Sequence, residues 1–164
     1  MPVIWITGLP GVGKSSVARE LVARLRAAGE TVLLLDGDAL RDALSPLDGG
    51  YDAPARRRFA QAYANLAALA SAQGLTVVVA TVSLIADMHR ENRARFTRYL
   101  EVLLSCTDAE RERRRASAAL AGPRHTIEIA PEFPADPHLS LATDATSPEA
   151  LAERILARWH ADAR

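Results

Sequence analysis

The residues best suited to chemistry form one short run, Gly8-Leu9-Pro10-Gly11-Val12-Gly13-Lys14-Ser15. Its glycines let successive backbone N–H groups turn inward around phosphate oxygens. Lys14 reaches the β- and γ-phosphates, and the Ser15 hydroxyl suits Mg²⁺. Ser16 adds a further N–H to the same turn. The nucleotide such a loop implies is ATP with Mg²⁺. A GTP-specific N-K-x-D motif is excluded, because Lys14 is the only lysine in the chain. No acidic residue follows Thr76-Val-Val-Val-Ala80 directly, as a motor ATPase would need.

A second candidate site is Asp36-Gly37-Asp38, with Arg41 one turn on. A phosphoryl acceptor hydroxyl needs a carboxylate to orient it and take its proton, and Asp38 suits that task. Asp36 suits Mg²⁺, directly or through water, and Arg41 an anionic acceptor. The same residues also read as an ordinary turn and N-cap before a short helix. A third group is Arg111, Arg113, Arg114 and Arg115. On a helix closing over phosphates, one of these guanidinium groups would neutralise charge on the transferred group, with Arg114 the first choice. The alternative is a solvated face paired with Glu110 and Glu112.

The elements that must position these residues follow from periodicity. Pro2–Thr7 is apolar and β-branched, and residues 15–28 repeat apolar side chains at helical spacing. Strands follow at residues 31–35, 76–80, 99–105 and 138–142, and helices at 55–73, 85–96, 108–121 and 148–161. Alternation of this kind predicts a three-layer α/β domain of the P-loop NTPase type, with a parallel sheet of about five strands flanked by helices. The 164 residues fit one domain, with residues 108–137 as its lid and acceptor-side segment. Lys plus Arg and Asp plus Glu each total 20, so no global field attracts nucleic acid or an anionic membrane. No apolar run approaches the roughly 20 residues of a membrane span. One cysteine, Cys106, and no leader pattern give the expectation of a cytoplasmic protein. His125, His138, His160 and Cys106 lack metal-ligand spacing and read as packing or surface residues. His89 falls in a polar cluster with Arg90, Asn92 and Arg93 beside the expected acceptor cleft.

The phosphate loop, Leu35-Asp-Gly-Asp with Arg41, and Ala80-Thr-Val-Ser83 followed by Arg93 together resemble the adenylylsulfate kinase family. Tyr99-Leu-Glu-Val102 is similar to that family's F-x-E-V strand, and the resemblance spans nearly the whole chain. It implies an ATP-dependent kinase acting on a hydroxyl of a nucleotide-like small molecule. Asp36, Asp38, Arg41, Arg56, Ser83, His89 and Arg93 would then lie at the acceptor, with Tyr51 stacked on its base. A homodimer is implied as well. The chain departs from the pattern at Phe59, where the family has asparagine, at Ser83-Leu84-Ile85 in place of S-P-Y, and in its arginine-rich lid. These departures open two further readings: another nucleotide-linked acceptor such as cytidine diphosphoramidate, or a non-nucleotide metabolite or antibiotic. A nucleotide-binding regulator without turnover is the remaining alternative, which intact Lys14, Ser15 and Asp38 oppose.

Overall fold

A computed structural model of the chain describes residues 1–44, 52–119 and 130–161. In chain order its elements are β1 (Pro2–Thr7), α1 (Lys14–Ala27), β2 (Val32–Asp36), α2 (Gly37–Leu44), α3 (Ala53–Ala72), β3 (Thr76–Ala80), α4 (Ala86–Arg95), β4 (Arg98–Ser105), α5 (Asp108–Ala119), β5 (Leu139–Ala142) and α6 (Pro148–Ala161). The five strands form one sheet in the order β2-β3-β1-β4-β5, and every pairing is parallel. The expected three-layer α/β architecture is therefore present.

Side chains alternate faces along a strand, and β1 sorts its residues accordingly. Ile4 and Ile6 enter one apolar layer with Leu21 and Leu25 of α1 and Ile155 and Trp159 of α6. Val3 and Trp5 enter the other, with Phe59, Tyr63 and Ala67 of α3 and Met88 of α4. Burying a side chain such as Ile4 or Leu25 contributes about 1.5–3 kcal/mol, so the two layers fix the sheet within the sandwich. With β1 central and its neighbours β3 and β4 reached by separate crossovers, the carboxyl edge of the sheet opens a crevice where ligands of such folds bind.

One element departs from the reading by periodicity. Residues 37–44 form α2, the short helix of the turn-and-cap reading, where apolar spacing alone predicts none. Its apolar side chains, Leu40 and Leu44, stand four residues apart and pack half-buried against the α3 layer, but in eight residues that spacing repeats only once and does not stand out. Asp36 accordingly closes β2 and abuts the first residue of a helix.

Candidate active site

Glycine at position 8 is dictated by close approach. Its φ is +148°, and a Cβ there would lie 2.3 Å from the carbonyl oxygen of Leu104 on β4. The loop can thus leave β1 only by passing flush against its neighbouring strand. It ends at Gly13, the N-cap of α1, which brings no side-chain cap, and the first turn of α1 has no acidic residue. The free N–H groups of that turn and the helix dipole are left for an anion. Lys14 Nζ donates to Gly8 O at 3.0 Å and Leu9 O at 2.9 Å, spanning the loop from inside. Burial lowers its pKa from 10.5 to about 8, against the opposing pull of Asp38 and Asp36.

Across from this loop, Ser15 and Arg19 of α1 share a cleft of about 550 Å³ with Asp36, Asp38, Leu40 and Asp42. The structure thus brings Lys14, Ser15, Asp36 and Asp38 together. Asp36 Oδ1 accepts from Asp38 N at 3.1 Å and Ala39 N at 3.5 Å, which caps α2, so the turn-and-cap reading of these residues holds for that oxygen. Asp36 Oδ2 is buried without a protein partner. A hard cation fits the chemistry of this donor set: Asp36 and Ser15 line one cleft, one Asp36 oxygen has no protein partner, and Mg²⁺ keeps several waters rather than a full protein cage. No cluster of three or more His, Cys, Asp or Glu side chains suited to a metal occurs among the described residues.

Gly37 has its own steric reason, which the sequence did not disclose. A Cβ would lie 3.1 Å from Ala80 O and Thr81 Oγ1 at the end of β3. Tyr63 Oη donates to Gly37 O at 3.1 Å, tying α2 to α3. One turn further, the Arg41 guanidinium lies 4.1 Å from the centre of the Phe59 ring. Arg56 is half-buried, and burial and then the nearby charge of Arg41 lower its pKa. Ser83 Oγ hydrogen-bonds Thr81 Oγ1 at 3.0 Å behind Gly37 and does not line the cleft. Tyr51 and His125 lie outside the described residues.

Two expectations change. His89 was expected at the acceptor, but it is 5% exposed and its Nδ1 donates to Glu101 Oε1 at 2.9 Å. Arg93 Nη2 donates to Glu101 Oε2 at 2.8 Å and to Asp136 O at 2.6 Å, and Tyr99 Oη reaches Glu101 Oε1 at 3.2 Å. Burial raises the Glu101 carboxyl, yet the bonds from His89 and Arg93 outweigh it and hold the pKa below its ordinary value. His89 and Arg93 therefore brace β4 against α4 through a buried anion. Its signal in the sequence was a glutamate, the one acid of β4, between the apolar residues Leu100 and Val102. His138, expected as a packing or surface residue, accepts from Glu101 N at 2.9 Å through Nδ1.

The second change concerns the arginines of α5. Arg113 pairs with Glu110 through two bonds, at 2.8 and 2.7 Å, and Arg115 pairs with Glu112 at 3.0 Å. Bonds from Arg113 and then Arg114 lower the Glu110 pKa to about 2. Arg114 is no free lid arginine. It donates to Val12 O at 3.3 Å, Thr143 Oγ1 at 2.9 Å and Thr143 O at 2.8 Å, so it grips the outside of the phosphate loop. Thr143 was missed because it stands in no motif, and only the chain's return through β5 brings it there.

Comparison with known proteins agrees with this geometry. Residues 1–123 match the sequence profile of adenylylsulphate kinase. The chain belongs to the adenylylsulfate kinase family. It is accordingly an ATP-dependent phosphotransferase of that type, using Mg²⁺. It is 38% identical over 152 residues to an adenylyl-sulfate kinase of Deinococcus deserti, covering 88% of this chain and 83% of that protein. A cytidine diphosphoramidate kinase of Campylobacter jejuni is 33% identical over 104 residues, which cover 63% of this chain and 60% of that protein, less than two thirds of its length. Among solved structures, the Mycobacterium tuberculosis APS kinase in complex with AMPPNP and APS superposes with a TM-score of 0.84 at 28% identity, covering 97% of each chain. No helix among the described residues is long and apolar enough to cross a membrane.

Proposed function

We propose that this kinase transfers the γ-phosphate of ATP to a hydroxyl of a nucleotide-linked acceptor held on the α2–α3 side of the cleft. The observation that carries the reading is the cleft itself, where Ser15 at the phosphate loop faces Asp36 and Asp38 at the start of α2. Residues 8–16 hold the phosphates, and Lys14 serves the β- and γ-groups. Asp38 orients the acceptor hydroxyl and takes its proton. Ser15 and Asp36 Oδ2 hold Mg²⁺, which when bound neutralises phosphate charge. Arg41 and Arg56 receive an anionic group of the acceptor, Tyr51 its base, and Ser83 supports the elbow at Gly37. Transfer through a loose transition state asks for positioning and charge stabilisation, which these groups supply.

Phe59 favours a particular branch of this reading. It is 4% exposed and lies under Arg41, so it offers an acceptor no hydrogen bond where an amide would. Together with the likeness to a cytidine diphosphoramidate kinase, this supports an acceptor other than adenylylsulfate. The working unit is one domain over residues 1–164 with the lid at 108–137, cytoplasmic and a homodimer; light scattering tests the last point. The acceptor is tested by ADP release from MgATP with adenylylsulfate, cytidine diphosphoramidate and simple alcohols in parallel. Turnover with a nucleotide-linked acceptor supports the reading. Turnover with simple alcohols alone overturns it.

A further inference from the structure

The carbonyl of Val12 faces the outside of the phosphate loop, and two donors meet it there. Thr143 Oγ1 donates at 3.0 Å and Arg114 Nη1 at 3.3 Å. The same guanidinium donates to Thr143 Oγ1 at 2.9 Å, to Thr143 O at 2.8 Å and, through Nε, to Glu110 Oε1 at 2.6 Å. Thr143 is 5% exposed, so its hydroxyl has no use for water: it accepts from Arg114 and donates to Val12. α5 lies close along this outer face, since a Cβ on Gly11 would meet Arg115 Cγ at 3.0 Å.

The chain contains no cis peptide bond among the described residues, so the Val12–Gly13 peptide is trans. In a trans peptide the C=O and the following N–H point in opposite directions. Holding the Val12 carbonyl outward therefore aims the Gly13 N–H inward, to the concave side where phosphate oxygens gather. Without such a hold this peptide is easily turned. Gly13 sits at φ +92°, and glycine crosses between backbone regions at little steric cost. An N–H that must swing into place on binding costs affinity, while one held in place does not.

We propose that Thr143 and Arg114 are positioning residues that fix the Val12–Gly13 peptide plane in the orientation a nucleotide diphosphate requires. This rests on the loop's role as the ATP site. It gives Arg114 a task on the protein side of the loop, and it gives Thr143 a function that no motif indicates. Neither residue touches the reacting atoms. Their contribution appears in nucleotide affinity and in the environment of one amide.

The test uses the whole chain and MgADP as probe, so no acceptor is needed. Titration calorimetry gives the Kd of wild type, Thr143→Val, Thr143→Ser and Arg114→Gln, and ¹⁵N-resolved NMR reads the Gly13 amide in the ligand-free chain. Thr143→Val should weaken MgADP about tenfold and move the Gly13 resonance. Thr143→Ser, which keeps the hydroxyl, should restore both, and Arg114→Gln should act like Thr143→Val. A folded Thr143→Val chain with wild-type affinity and an unmoved Gly13 resonance overturns the proposal. So does a serine variant as weak as the valine one, because packing would then be the cause. If Thr143→Val does not fold, Arg114→Gln decides by the same two readouts. A wild-type chain that does not bind MgADP overturns the ATP-site reading and this proposal with it, whereas wild-type binding with unaffected variants overturns this proposal alone.

Discussion

Helices α1 and α2 begin on opposite sides of one cleft, and their N-termini are finished in opposite ways. α1 starts after Gly13 with no side-chain cap and no acid in its first turn. α2 is capped by Asp36 Oδ1 and carries Asp38 in its first turn. The first leaves its N–H groups to a ligand, while the second satisfies its own and presents carboxylate oxygens instead. Phosphate binding and acceptor activation are therefore separated by construction. The two sides also differ in how firmly they are placed. The phosphate loop lies so close to β4 that a Cβ at Gly8 would fall 2.3 Å from Leu104 O, and Thr143 and Arg114 hold it at Val12. α2 has no fully buried residue: Leu40 and Leu44 pack half-buried against the α3 layer, Tyr63 donates to Gly37, and Phe59 lies under Arg41. A scaffold of this kind keeps one substrate constant and lets the other change by substitution of a few side chains.

The sharpest way to break this comparison is at Asp38. If it takes the proton of the acceptor hydroxyl, Asp38→Asn keeps its shape but should lower kcat by roughly 10²–10⁴ with MgADP affinity nearly unchanged. Steady-state rates with the acceptor identified by the ADP-release panel, and calorimetry with MgADP, separate the two effects. Parallel loss of affinity would move Asp38 to the nucleotide side. Lys14→Ala is the counterpart on that side. Loss of one preorganised cation should lower kcat by roughly 10²–10³ in a chain whose melting temperature is retained. A folded variant with wild-type rate would end the assignment of the loop.

The nucleotide side was far more legible in the sequence than the acceptor side, for a physical reason. A phosphate cradle is made by consecutive residues on one loop, so its spacing survives as a motif. The strands were equally plain, because β3 and most of β1 are buried on both faces and read as unbroken apolar runs. α2 was not, since an eight-residue helix repeats its apolar spacing only once, at Leu40 and Leu44. The expectation that His89 and Arg93 lie at the acceptor rests on the family resemblance and on the polar cluster of their helix. Their partner Glu101 lies on β4, beyond the reach of local pattern. Thr143 meets Val12 across 131 positions of sequence, and only the sheet order brings them together.

Asp36 sharpens the comparison because its two oxygens have different tasks. Asp36→Asn keeps an N-cap acceptor and removes the charge, so stability should hold while the Mg²⁺ concentration for half-maximal rate rises several-fold. Asp36→Ala loses the cap too and should cost about 1 kcal/mol of stability besides. Urea denaturation and a magnesium titration on both variants resolve this. An asparagine variant that loses stability but not magnesium dependence would make Asp36 a capping residue only.

The smallest expected effect joins both sides through Lys14. Burial lowers its pKa to about 8 in the ligand-free chain, and the charges of Asp38 and Asp36 are the forces that keep it from falling further. Phosphates placed beside the ammonium favour its charged form, so binding above that pH takes up a proton. MgADP affinity should therefore be level below pH 8 and weaken above it, approaching tenfold per pH unit at the steepest. Lys14→Ala should lose this dependence, while Asp38→Asn should move its onset to lower pH. For stability the sign is separate: the unfolded chain, with lysine near 10.5, binds more protons than the folded one between about 8 and 10.5. This group's contribution to stability therefore rises with pH through that window. Calorimetry between pH 7 and 9.5 in buffers of different ionisation enthalpy measures the proton uptake directly. A wild-type affinity flat across that range would remove Lys14 as the titrating group. An Asp38→Asn profile superimposable on wild type would show that the two sides of the cleft do not sense each other's charge.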